Sequence, residues 1–390
     1  MVECTMNKVL RVAMVTYYPA DPNRISGGVQ AVSARLVEAF RQVPDLDLHV
    51  VHCHSDIGQS RVEAQGNVTL HFIAQTRRRI APNMITAIGR VARRLHEIAP
   101  DVIHAHDSPS FALAALRTGR PTIWTLHGLT AEEARHYRNL FHRLAHRLTL
   151  YHERRALTRV PYLTVVSQHL VDAYRSLARG SKLPDARRWR VIGNPAPASC
   201  FSLPRCPVAG RLLMPAIVIR RKDPLTLVRA AGQIRQAIPE LSVHVAGALL
   251  DPAYAVEVRA EIARLGLQET ITLLGGLDTP RLHEELSAAA IVVLPSREES
   301  APMALIEAMA AGAAVVATAV GGVPYLVEDG IAGRLVPPAD PPALAAALTD
   351  LLRQPALCDR MGKAAQALAR ERFEPGRVAA QYLALYREAV

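Results

Sequence analysis

The chain has 390 residues, which exceeds one ordinary hydrophobic core and suits two domains of about 200 residues each. Hydrophobic residues make up 50% of it, yet no apolar run approaches the roughly 18 residues of a membrane-spanning helix, so the composition excludes an integral membrane protein. The formal net charge of +11 calls for an anionic partner: a phosphate-bearing substrate, an acidic membrane surface or nucleic acid. Nucleic acid is disfavoured, because the basic residues are not interleaved with aromatic ones.

Short β-branched runs alternate with helical patterns along both halves of the chain. In the first half the pattern predicts strands at 9–16, 48–52, 102–106 and 122–127 and helices at 29–43, 85–98 and 110–117. In the second half it predicts strands at 211–218, 242–247, 271–274, 291–294 and 314–318 and helices at 224–237, 255–265, 280–290 and 302–311. This βαβ rhythm is typical of parallel sheets, so the predicted fold class is α/β with two doubly wound, Rossmann-like domains.

A proline-rich segment separates the two halves. Residues 194–210 contain four prolines and few periodic apolar positions, as expected of an interdomain connection. The predicted domains are 1–205 and 206–373, followed by a closing helix at 374–390. Two such domains are expected to bind ligands in a cleft, at the carboxyl ends of their strands.

The expected compartment is the cytoplasm. The first apolar stretch, residues 9–18, contains Arg11 and is followed by no small-residue cleavage pattern, so it is predicted to be a strand rather than a signal peptide. The five cysteines are scattered and form no CxxC pair, which argues against a disulfide framework and a zinc site.

Two glutamates flank the start of a predicted helix in the second half. Glu299 and Glu307 lie in a segment that runs from a buried strand through a polar turn into a helix, with Ser300 near the cap and Gly312 as terminator. The free amides and dipole of the helix start suit a diphosphate, and the carboxylates suit sugar hydroxyls. On these residues alone a plainer interpretation stays open, in which Glu299 caps the helix and Glu307 is a partly buried acid.

The spacing Glu299-x7-Glu307, followed by Gly321-Gly322-Val323-Pro324, resembles the retaining glycosyltransferases of family 4. Similar segments occur at 101–106, 125–128, 245–247 and 274–276. The resemblance implies the GT-B fold, in which two Rossmann-like domains face each other across a cleft and the last helix returns to the N-terminal domain. It also implies a nucleotide-sugar donor held by the C-terminal domain and an acceptor held by the N-terminal domain.

The resemblance further implies roles for individual residues of the donor site. Glu307 would bind the ribose, Glu299 the transferred sugar, and the backbone from Gly275 to Leu277 the base. The donor-binding residues at the helix start are Ser300, Ala301 and Met303.

Lys222 is the first candidate for a catalytic cation. It lies between a predicted strand and a predicted helix, where an ammonium group can stabilise the charge of a departing diphosphate. The family places an arginine five residues before this lysine, and here that position holds Ile217. Arg221 or Arg220 is the candidate replacement, with Arg221 assigned to donor binding.

The first half contributes two glycines and a histidine to the predicted site. Gly27 and Gly28 open a helix after a long loop, where glycines permit close backbone approach to a ligand. His127 ends a predicted strand and matches a family histidine that approaches the donor sugar, so it is assigned a catalytic role. A purely structural role for His127 is the alternative.

No metal or cofactor is expected. Asp45-Leu46-Asp47 is a DxD sequence, but it lies in a turn at the amino end of a strand, where aspartates are ordinary. Lys222 and the helix dipole are predicted to neutralise the diphosphate in place of a divalent metal. No GxGxxG follows a predicted strand, which disfavours a nicotinamide-dependent enzyme.

Residues 135–159 form a predicted basic amphipathic helix. Arginines and histidines alternate there with apolar residues at helical spacing. Packing of the apolar face on its own domain is the favoured interpretation, and peripheral attachment to the inner face of an anionic membrane is the second.

The sequence therefore predicts a retaining, metal-independent glycosyltransferase that acts on a glycolipid or polysaccharide intermediate. A nucleotide-sugar epimerase of the same fold is one alternative. A nucleotide-sugar-binding protein that has lost catalysis is the other, and Ile217 is the residue that favours it.

Overall fold

The computed structural model describes residues 9–21, 25, 27–55, 57–75, 80–130, 140–177 and 189–390. The chain divides into two compact units, one formed by residues 1–195 with 375–390 and the other by residues 196–374. Each unit is built on one sheet that is wholly or mostly parallel. Part of the predicted basic helix, 135–139, lies outside the described residues.

The first unit contains an eight-stranded sheet in the order β3-β4-β2-β1-β5-β6-β7-β8. Its strands are β1 (Leu10–Val15), β2 (Leu46–His54), β3 (Arg61–Gln65), β4 (Val68–Ala74), β5 (Val102–His106), β6 (Thr122–Leu126), β7 (Tyr162–Val165) and β8 (Trp189–Val191). All neighbours are parallel except β3 and β4. The central strands are largely buried, because helices cover both faces of such a sheet, and they carry buried polar side chains, among them His104 and Thr125, as well as apolar ones.

The helices of the first unit follow the predicted rhythm. They are α1 (Gly28–Arg41), α2 (Ile80–Ile98), α3 (Pro109–Leu116), α4 (Leu140–Leu157) and α5 (Gln168–Leu177), and the closing helix α13 (Pro375–Ala389) joins them. In α13, Tyr386 packs against Phe40 of α1 with ring centroids 5.9 Å apart. The closing helix thus completes the core of the first unit, although it comes from the C-terminal end of the chain.

A buried polar network ties α13 to the sheet. The Tyr386 hydroxyl and Nδ1 of His104 are 2.6 Å apart, and Nε2 of His104 is 2.6 Å from the Thr125 hydroxyl. Thr125 also bonds the hydroxyl of Thr164 on the next strand. Desolvation, with a smaller contribution from His127, lowers the pKa of His104 to about 3. His104 is therefore neutral in the folded protein at ordinary pH.

The second unit contains a six-stranded parallel sheet in the order β11-β10-β9-β12-β13-β14. Its strands are β9 (Arg211–Met214), β10 (Ser242–Ala246), β11 (Ile271–Gly275), β12 (Ile291–Leu294), β13 (Ala314–Thr318) and β14 (Arg334–Val336). Its helices are α6 (Pro224–Ile234), α7 (Pro252–Arg264), α8 (Thr279–Ala288), α9 (Met303–Ala310), α10 (Val323–Leu326), α11 (Pro341–Leu352) and α12 (Pro355–Phe373). The order reverses between β9 and β12, which is where doubly wound sheets bind ligands.

The division between the units falls at residues 195 and 196, earlier than the boundary near 205 that the prolines indicated. The segment after Pro195 packs on the second unit. The amide of Ala196 donates to the carbonyl of Phe373 at 2.8 Å, Cys200 is buried in the second core, and the amide of Cys206 donates to the carbonyl of Ser287 at 3.1 Å. Prolines mark an irregular backbone, but burial decides which unit that backbone joins.

Two local differences from the predicted elements have simple causes. The strand predicted at 211–218 ends at Met214, because Pro215 has no amide hydrogen to continue the ladder. The strand β3 was not predicted, because it is a mostly exposed edge strand with the weak pattern Arg-Val-Glu-Ala-Gln. The strand β4, which is mostly buried, was not predicted either. In the part of the chain that the structure describes, no helix combines the length and apolar character needed to cross a membrane.

Replacing His104 with glutamine is expected to flatten the pH dependence of unfolding of the first unit. In the unfolded chain a histidine titrates near pH 6.5, so below that pH the unfolded state binds a proton that folded His104 does not. The free energy of unfolding of the wild type is therefore unaffected by His104 above about pH 6.5. It decreases as the pH falls from there toward about 3, because protonation of His104 favours the unfolded state. Between pH 6 and 4 the slope of unfolding free energy should drop by up to about 1.4 kcal/mol per pH unit in the variant.

Tryptophan fluorescence during denaturant unfolding at each pH measures the unfolding free energy of the first unit. Both tryptophans, Trp124 and Trp189, belong to that unit. The matched control is Tyr386→Phe, which removes the hydrogen bond to His104 but keeps the titrating ring. The control should lower stability at every pH and retain the wild-type slope. Equal slopes for wild type and His104→Gln would contradict the assignment of this proton to His104.

Candidate active site

Glu299 and Lys222 meet at the point where the strand order of the second sheet reverses. Glu299 follows β12, and Lys222 follows β9, the neighbouring strand. The Lys222 ammonium group donates a hydrogen bond to Oε1 of Glu299 and forms an ion pair with it. Only 5% of the Glu299 side chain and 14% of the Lys222 side chain are exposed. A largely buried ion pair therefore lies at the position where doubly wound sheets bind ligands.

Glu299 is fixed by contacts on both its side chain and its backbone. The Ser296 hydroxyl donates to Oε1 at 2.7 Å, and Ser296 is itself fully buried. The backbone carbonyl of Glu299 accepts a hydrogen bond from the amide of Gly322 at 2.8 Å. The Thr318 hydroxyl donates to the Ser296 carbonyl and anchors the turn to the end of β13. The carboxylate is thus held in one orientation before any ligand arrives.

The electrostatics of the pair are set by burial. Desolvation lowers the pKa of Lys222, the Glu299 carboxylate opposes that effect, and the nearby Arg221 adds to it. Arg221 approaches the second carboxylate oxygen of Glu299, with Nη1 3.6 Å from Oε2. Two cations therefore flank one carboxylate, which leaves an excess of positive charge for an anionic ligand.

The three consecutive basic residues point to different partners. Arg221 Nη1 also donates to the carbonyl of Glu298 at 3.1 Å, which holds its guanidinium beside Glu299. Arg220 instead pairs with Glu257 and stacks over the Tyr254 ring, with its guanidinium carbon 4.7 Å from the ring centroid. Of the two arginines that could replace the one missing at Ile217, the structure brings only Arg221 to the Lys222 and Glu299 pair.

Asp223 supports the basic turn and was not predicted from the sequence. Its backbone is left-handed, with φ of 47°, and its side chain is fully buried. Its Oδ2 accepts hydrogen bonds from Arg297 Nε at 2.9 Å and from the Thr226 hydroxyl at 2.8 Å. The Asp-Pro sequence at 223–224 marked a turn, but its partner Arg297 is distant in the chain and no spacing pattern connects the two.

Helix α9 supplies the rest of the predicted donor site. It begins at Met303 with Pro302 as the N-cap residue, so Ser300 and Ala301 lie in the preceding turn rather than at the cap. Hydrogen bonding within the helix starts with the amides of Leu305 and Ile306, which both donate to the Pro302 carbonyl. Glu307 follows one turn after Met303, on the same face, and is half-buried.

The predicted base-binding segment lies at the end of β11. Gly275 has φ of +73°, and a Cβ at Gly275 or Gly276 would meet no described residue within 4 Å other than its own chain neighbours. Leu277 packs partly against the core of the second unit. The backbone at 275–276 is therefore open to the approach of a flat ligand group.

In the first unit, His127 directly follows β6. Its Nε2 is 3.1 Å from Nδ1 of His106, and the two rings stack with centroids 5.4 Å apart. Desolvation lowers the pKa of His127 to about 4 and that of His106 well below its ordinary value. Both rings are therefore neutral, and their hydrogen bond restricts the position of the His127 proton.

The remaining predicted residues of the first unit open α1. Gly27 is the N-cap residue of α1, with φ of 92°, and Gly28 is the first helical residue. Both are exposed, and a Cβ at either would meet no atom of the residues that the structure describes within 4 Å. Their predicted neighbour Ser26 lies outside the described residues.

The DxD sequence, Asp45-Leu46-Asp47, lies at the start of β2. Asp47 pairs with Arg11 at 2.6 Å at the amino end of the first sheet, and the Asp45 carbonyl accepts from the amide of Leu10. Among the residues that the structure describes, no group of three or more histidine, cysteine, aspartate or glutamate side chains could hold a metal ion.

Comparison with known proteins identifies the family. The profile of the glycosyl transferases group 1 matches residues 211–368, and that of Glycosyltransferase Family 4 matches residues 26–198. The chain belongs to glycosyltransferase family 4. Both halves of this glycosyltransferase thus carry a domain of that class, as the resemblance of the motifs implied.

The most similar relatives include the D-inositol 3-phosphate glycosyltransferase of Streptomyces coelicolor. It is 37% identical over 150 residues, which cover 37% of this chain and 33% of the relative. The segments matched in the curated relatives span between 22% and 46% of those proteins, so the chain matches less than half of their length.

Solved structures confirm the fold over the whole chain. Sucrose-phosphate synthase from Thermosynechococcus elongatus has a TM-score of 0.78 at 22% identity, with coverage of 97% of this chain and 98% of that one. HepE from Anabaena, in complex with UDP and glucose, has a TM-score of 0.73 at 19% identity, with coverage of 97% and 100%. The predicted GT-B fold class is therefore confirmed.

Gly321→Ala is expected to destabilise the second unit much more than Gly330→Ala. Both glycines have positive φ, so alanine costs about 1 kcal/mol of backbone strain at either position. Only at Gly321 would the Cβ meet the Glu299 carbonyl oxygen, at 2.0 Å, whereas Gly330 has open space. The total cost at Gly321 should therefore reach about 3 kcal/mol. Circular dichroism during urea unfolding measures both values, and equal costs would show that the Glu299 turn is not tightly packed.

Proposed function

We propose that this protein is a retaining, metal-independent glycosyltransferase that uses a nucleotide-diphosphate sugar. The observation that carries the proposal is the buried Lys222 and Glu299 pair at the switch point of the second sheet. The second unit would bind the donor and the first unit the acceptor. The donor base is proposed to be uracil, because the related fold of HepE was solved with UDP and glucose.

The diphosphate is proposed to bind Lys222, Arg221 and the start of α9. These groups supply an ammonium group, a guanidinium group and helix amides, which together neutralise the charge that grows on the leaving diphosphate. When the diphosphate binds, Lys222 can transfer its hydrogen bond from Glu299 to a phosphate oxygen. The released Glu299 oxygen can then accept a hydrogen bond from a sugar hydroxyl.

The transfer forms a bond between the sugar anomeric carbon and the acceptor oxygen and breaks the bond from that carbon to the diphosphate. In a front-face route the acceptor attacks from the side on which the diphosphate leaves, and the acceptor proton passes to a diphosphate oxygen. Neutral His127 is proposed to orient the sugar by hydrogen bonding, because its lowered pKa makes it a poor cation but a suitable donor or acceptor. Glu307 is proposed to bind the ribose diol.

A glycolipid or polysaccharide intermediate is the proposed acceptor, and the proposed location is the cytoplasmic face of a membrane. Arg147, Arg154 and Arg155 form an exposed basic surface on α4, while Ala156 and Leu157 are buried. This surface supports peripheral attachment to anionic lipids, because cations near such a surface are attracted to it.

Ile217 favours a second candidate function, a nucleotide-sugar-binding protein without catalysis. The half-buried Ile217 side chain brings no charge where the family resemblance implies an arginine. Arg221 is the residue that decides between the two functions, because of the two arginines in this turn it is the one that lies beside Glu299, the partner of Lys222.

The binding half of the proposal predicts that Glu307→Ala weakens the affinity for a nucleotide sugar at least tenfold. Loss of a hydrogen bond to a charged group costs about 1.5–3 kcal/mol, which corresponds to this factor. Calorimetric titration with UDP-, GDP- and ADP-glucose measures it, and UDP-glucose should bind best. The control is Glu284→Ala, which removes an exposed carboxylate from α8. If Glu307→Ala binds the donor as wild type does, the ribose assignment is wrong.

The catalytic half predicts different results for the neighbouring basic residues. Release of nucleoside diphosphate during slow hydrolysis of the donor by water should fall about 100-fold or more in Lys222→Met. It should fall at least tenfold in Arg221→Met, and Ile217→Arg should restore part of the rate in that background. Arg220→Met is the matched control and should keep the wild-type rate, since Arg220 is bonded to Glu257. Donor binding without any release by wild type would favour the non-catalytic function.

A further inference from the structure

Three imidazole rings lie in a row in the first unit. His104 and His106 are on the same face of β5, with ring centroids 4.0 Å apart, and His106 stacks on His127, which directly follows β6. His104 and His106 are inaccessible to solvent, whereas His127 is half-buried. Of the three rings, His127 is therefore the one that a ligand can reach.

The inner end of this row is held from two sides. The Tyr386 hydroxyl of α13 contacts Nδ1 of His104, and the Thr125 hydroxyl contacts Nε2 of the same ring. The Tyr382 ring packs on His104 as well, with centroids 4.8 Å apart. The His104 ring cannot turn without breaking two buried hydrogen bonds, so it forms a fixed wall against which the His106 ring packs.

A single hydrogen bond joins His106 to His127. Nδ1 of His106 lies 3.1 Å from Nε2 of His127. Burial lowers the pKa of both rings, so both are neutral, each carries one N–H hydrogen, and one of the two facing nitrogens donates. The tautomers of the two rings are therefore coupled. Either both hydrogens are on Nδ1, or both are on Nε2.

The outer nitrogen of His106 distinguishes these two arrangements. Nε2 of His106 is buried and has no hydrogen-bond partner in the part of the chain that the structure describes. With the hydrogens on Nε2, it would be a buried N–H group without an acceptor, and such groups are rarer in proteins than buried acceptors without a donor. With the hydrogens on Nδ1, the same position holds only a lone pair. The geometry therefore favours the arrangement with both hydrogens on Nδ1.

Nδ1 of His127 is the nitrogen left for a ligand. Among the described residues it has no hydrogen-bond partner, because the one hydrogen bond of this ring is made by Nε2. In the favoured arrangement Nδ1 carries the hydrogen, and the lone pair of Nε2 faces His106. The neutral ring can then donate a hydrogen bond to a ligand oxygen, but it has no free lone pair with which to remove a proton.

We infer that His106 is a positioning residue that holds the hydrogen of His127 on Nδ1, so that His127 acts on its ligand as a hydrogen-bond donor and not as a base. The inference rests on the proposed transfer function and deepens the role given there to His127. It agrees with a route in which the acceptor proton passes to a diphosphate oxygen, because His127 does not take that proton.

The tautomer of His127 tests the inference directly. Proton–nitrogen correlation NMR of the full chain with isotope-labelled histidine distinguishes a ring nitrogen that carries hydrogen from one that does not. The variant His127→Gln identifies the resonances of His127 by their loss. At neutral pH the wild type should show the hydrogen on Nδ1. Because the sample contains no nucleotide sugar, this result is independent of whether the protein transfers sugar.

Two replacements of His106 separate positioning from packing. Asparagine places an amide N–H group near the position of Nδ1 of His106, whereas leucine fills the space without a donor. His106→Asn should therefore keep the hydrogen of His127 on Nδ1, and His106→Leu should show both tautomers. His71→Leu is the matched control and should leave the tautomer of His127 unchanged. His71 is also buried and bonded to a histidine, His49 at 2.9 Å, but on strands that do not neighbour β5 or β6.

The rate of donor hydrolysis adds a measurement that loss of packing alone would not reproduce. For release of nucleoside diphosphate from UDP-glucose, kcat should fall about tenfold or more in His106→Leu while KM changes less than about threefold, because the tautomer affects the reacting sugar more than nucleotide binding. His106→Asn should recover most of this loss, and His71→Leu should keep the wild-type kcat. A purely structural role for His106 would lower kcat equally in both His106 variants.

Three results would overturn the inference. These are a hydrogen on Nε2 of His127 in the wild type, a wild-type tautomer in His106→Leu, or equal kcat values in the two His106 variants. Tryptophan fluorescence during unfolding verifies that each variant is folded, since Trp124 lies on β6. If His106→Leu fails to fold, the tautomer in the wild type and in His106→Asn decides the outcome. If the wild type releases no diphosphate, the transfer function fails and the tautomers alone decide the role of His106.

Discussion

The arrangement of the second unit depends on one buried carboxylate. Glu299 lies among Lys222, Arg221 and Ser296, and its backbone is locked to the loop at Gly321 and Gly322. Removing two opposite charges from water is costly, so such a pair is weak evidence for stability and stronger evidence for a site. The residues around it come from the ends of β9, β12 and β13, which are adjacent in the sheet. Sheet topology therefore brings together groups that are far apart in the sequence.

Local patterns predicted most of the fold. The strands at 102–106, 291–294 and 314–318 match the predicted bounds, because short apolar runs between turn residues leave little freedom in placing a buried strand. The edge strand β3 was not predicted because it is largely exposed and has no periodic signal. The unit boundary was placed too late, because composition marks irregular backbone and not the core on which that backbone packs.

The candidate site could be predicted only in part. Glu299 and Glu307 were assigned to the site because their spacing resembles a family motif, and Lys222 because it lies between a predicted strand and a predicted helix. The direct contact of Glu299 with Lys222 is a result of the structure. Ser296, Asp223 and Thr318 support the site through contacts between separate strands, which a single sequence does not reveal. The choice between Arg220 and Arg221 likewise depended on side-chain direction within one turn of 3₁₀ helix, where neighbouring residues face different partners.

The closing helix α13 has a consequence for how the protein folds during synthesis. Tyr386 bonds His104 in the middle of the first sheet, yet a ribosome makes Tyr386 only after the whole second unit. The first unit must therefore wait, with part of its apolar core uncovered, while the second unit emerges and folds. A nonsense mutation near residue 375 would leave the second unit complete but would remove α13 from the first unit. The uncovered core of the first unit would then be open to chaperones and proteases, although the mutation follows the second unit in the sequence.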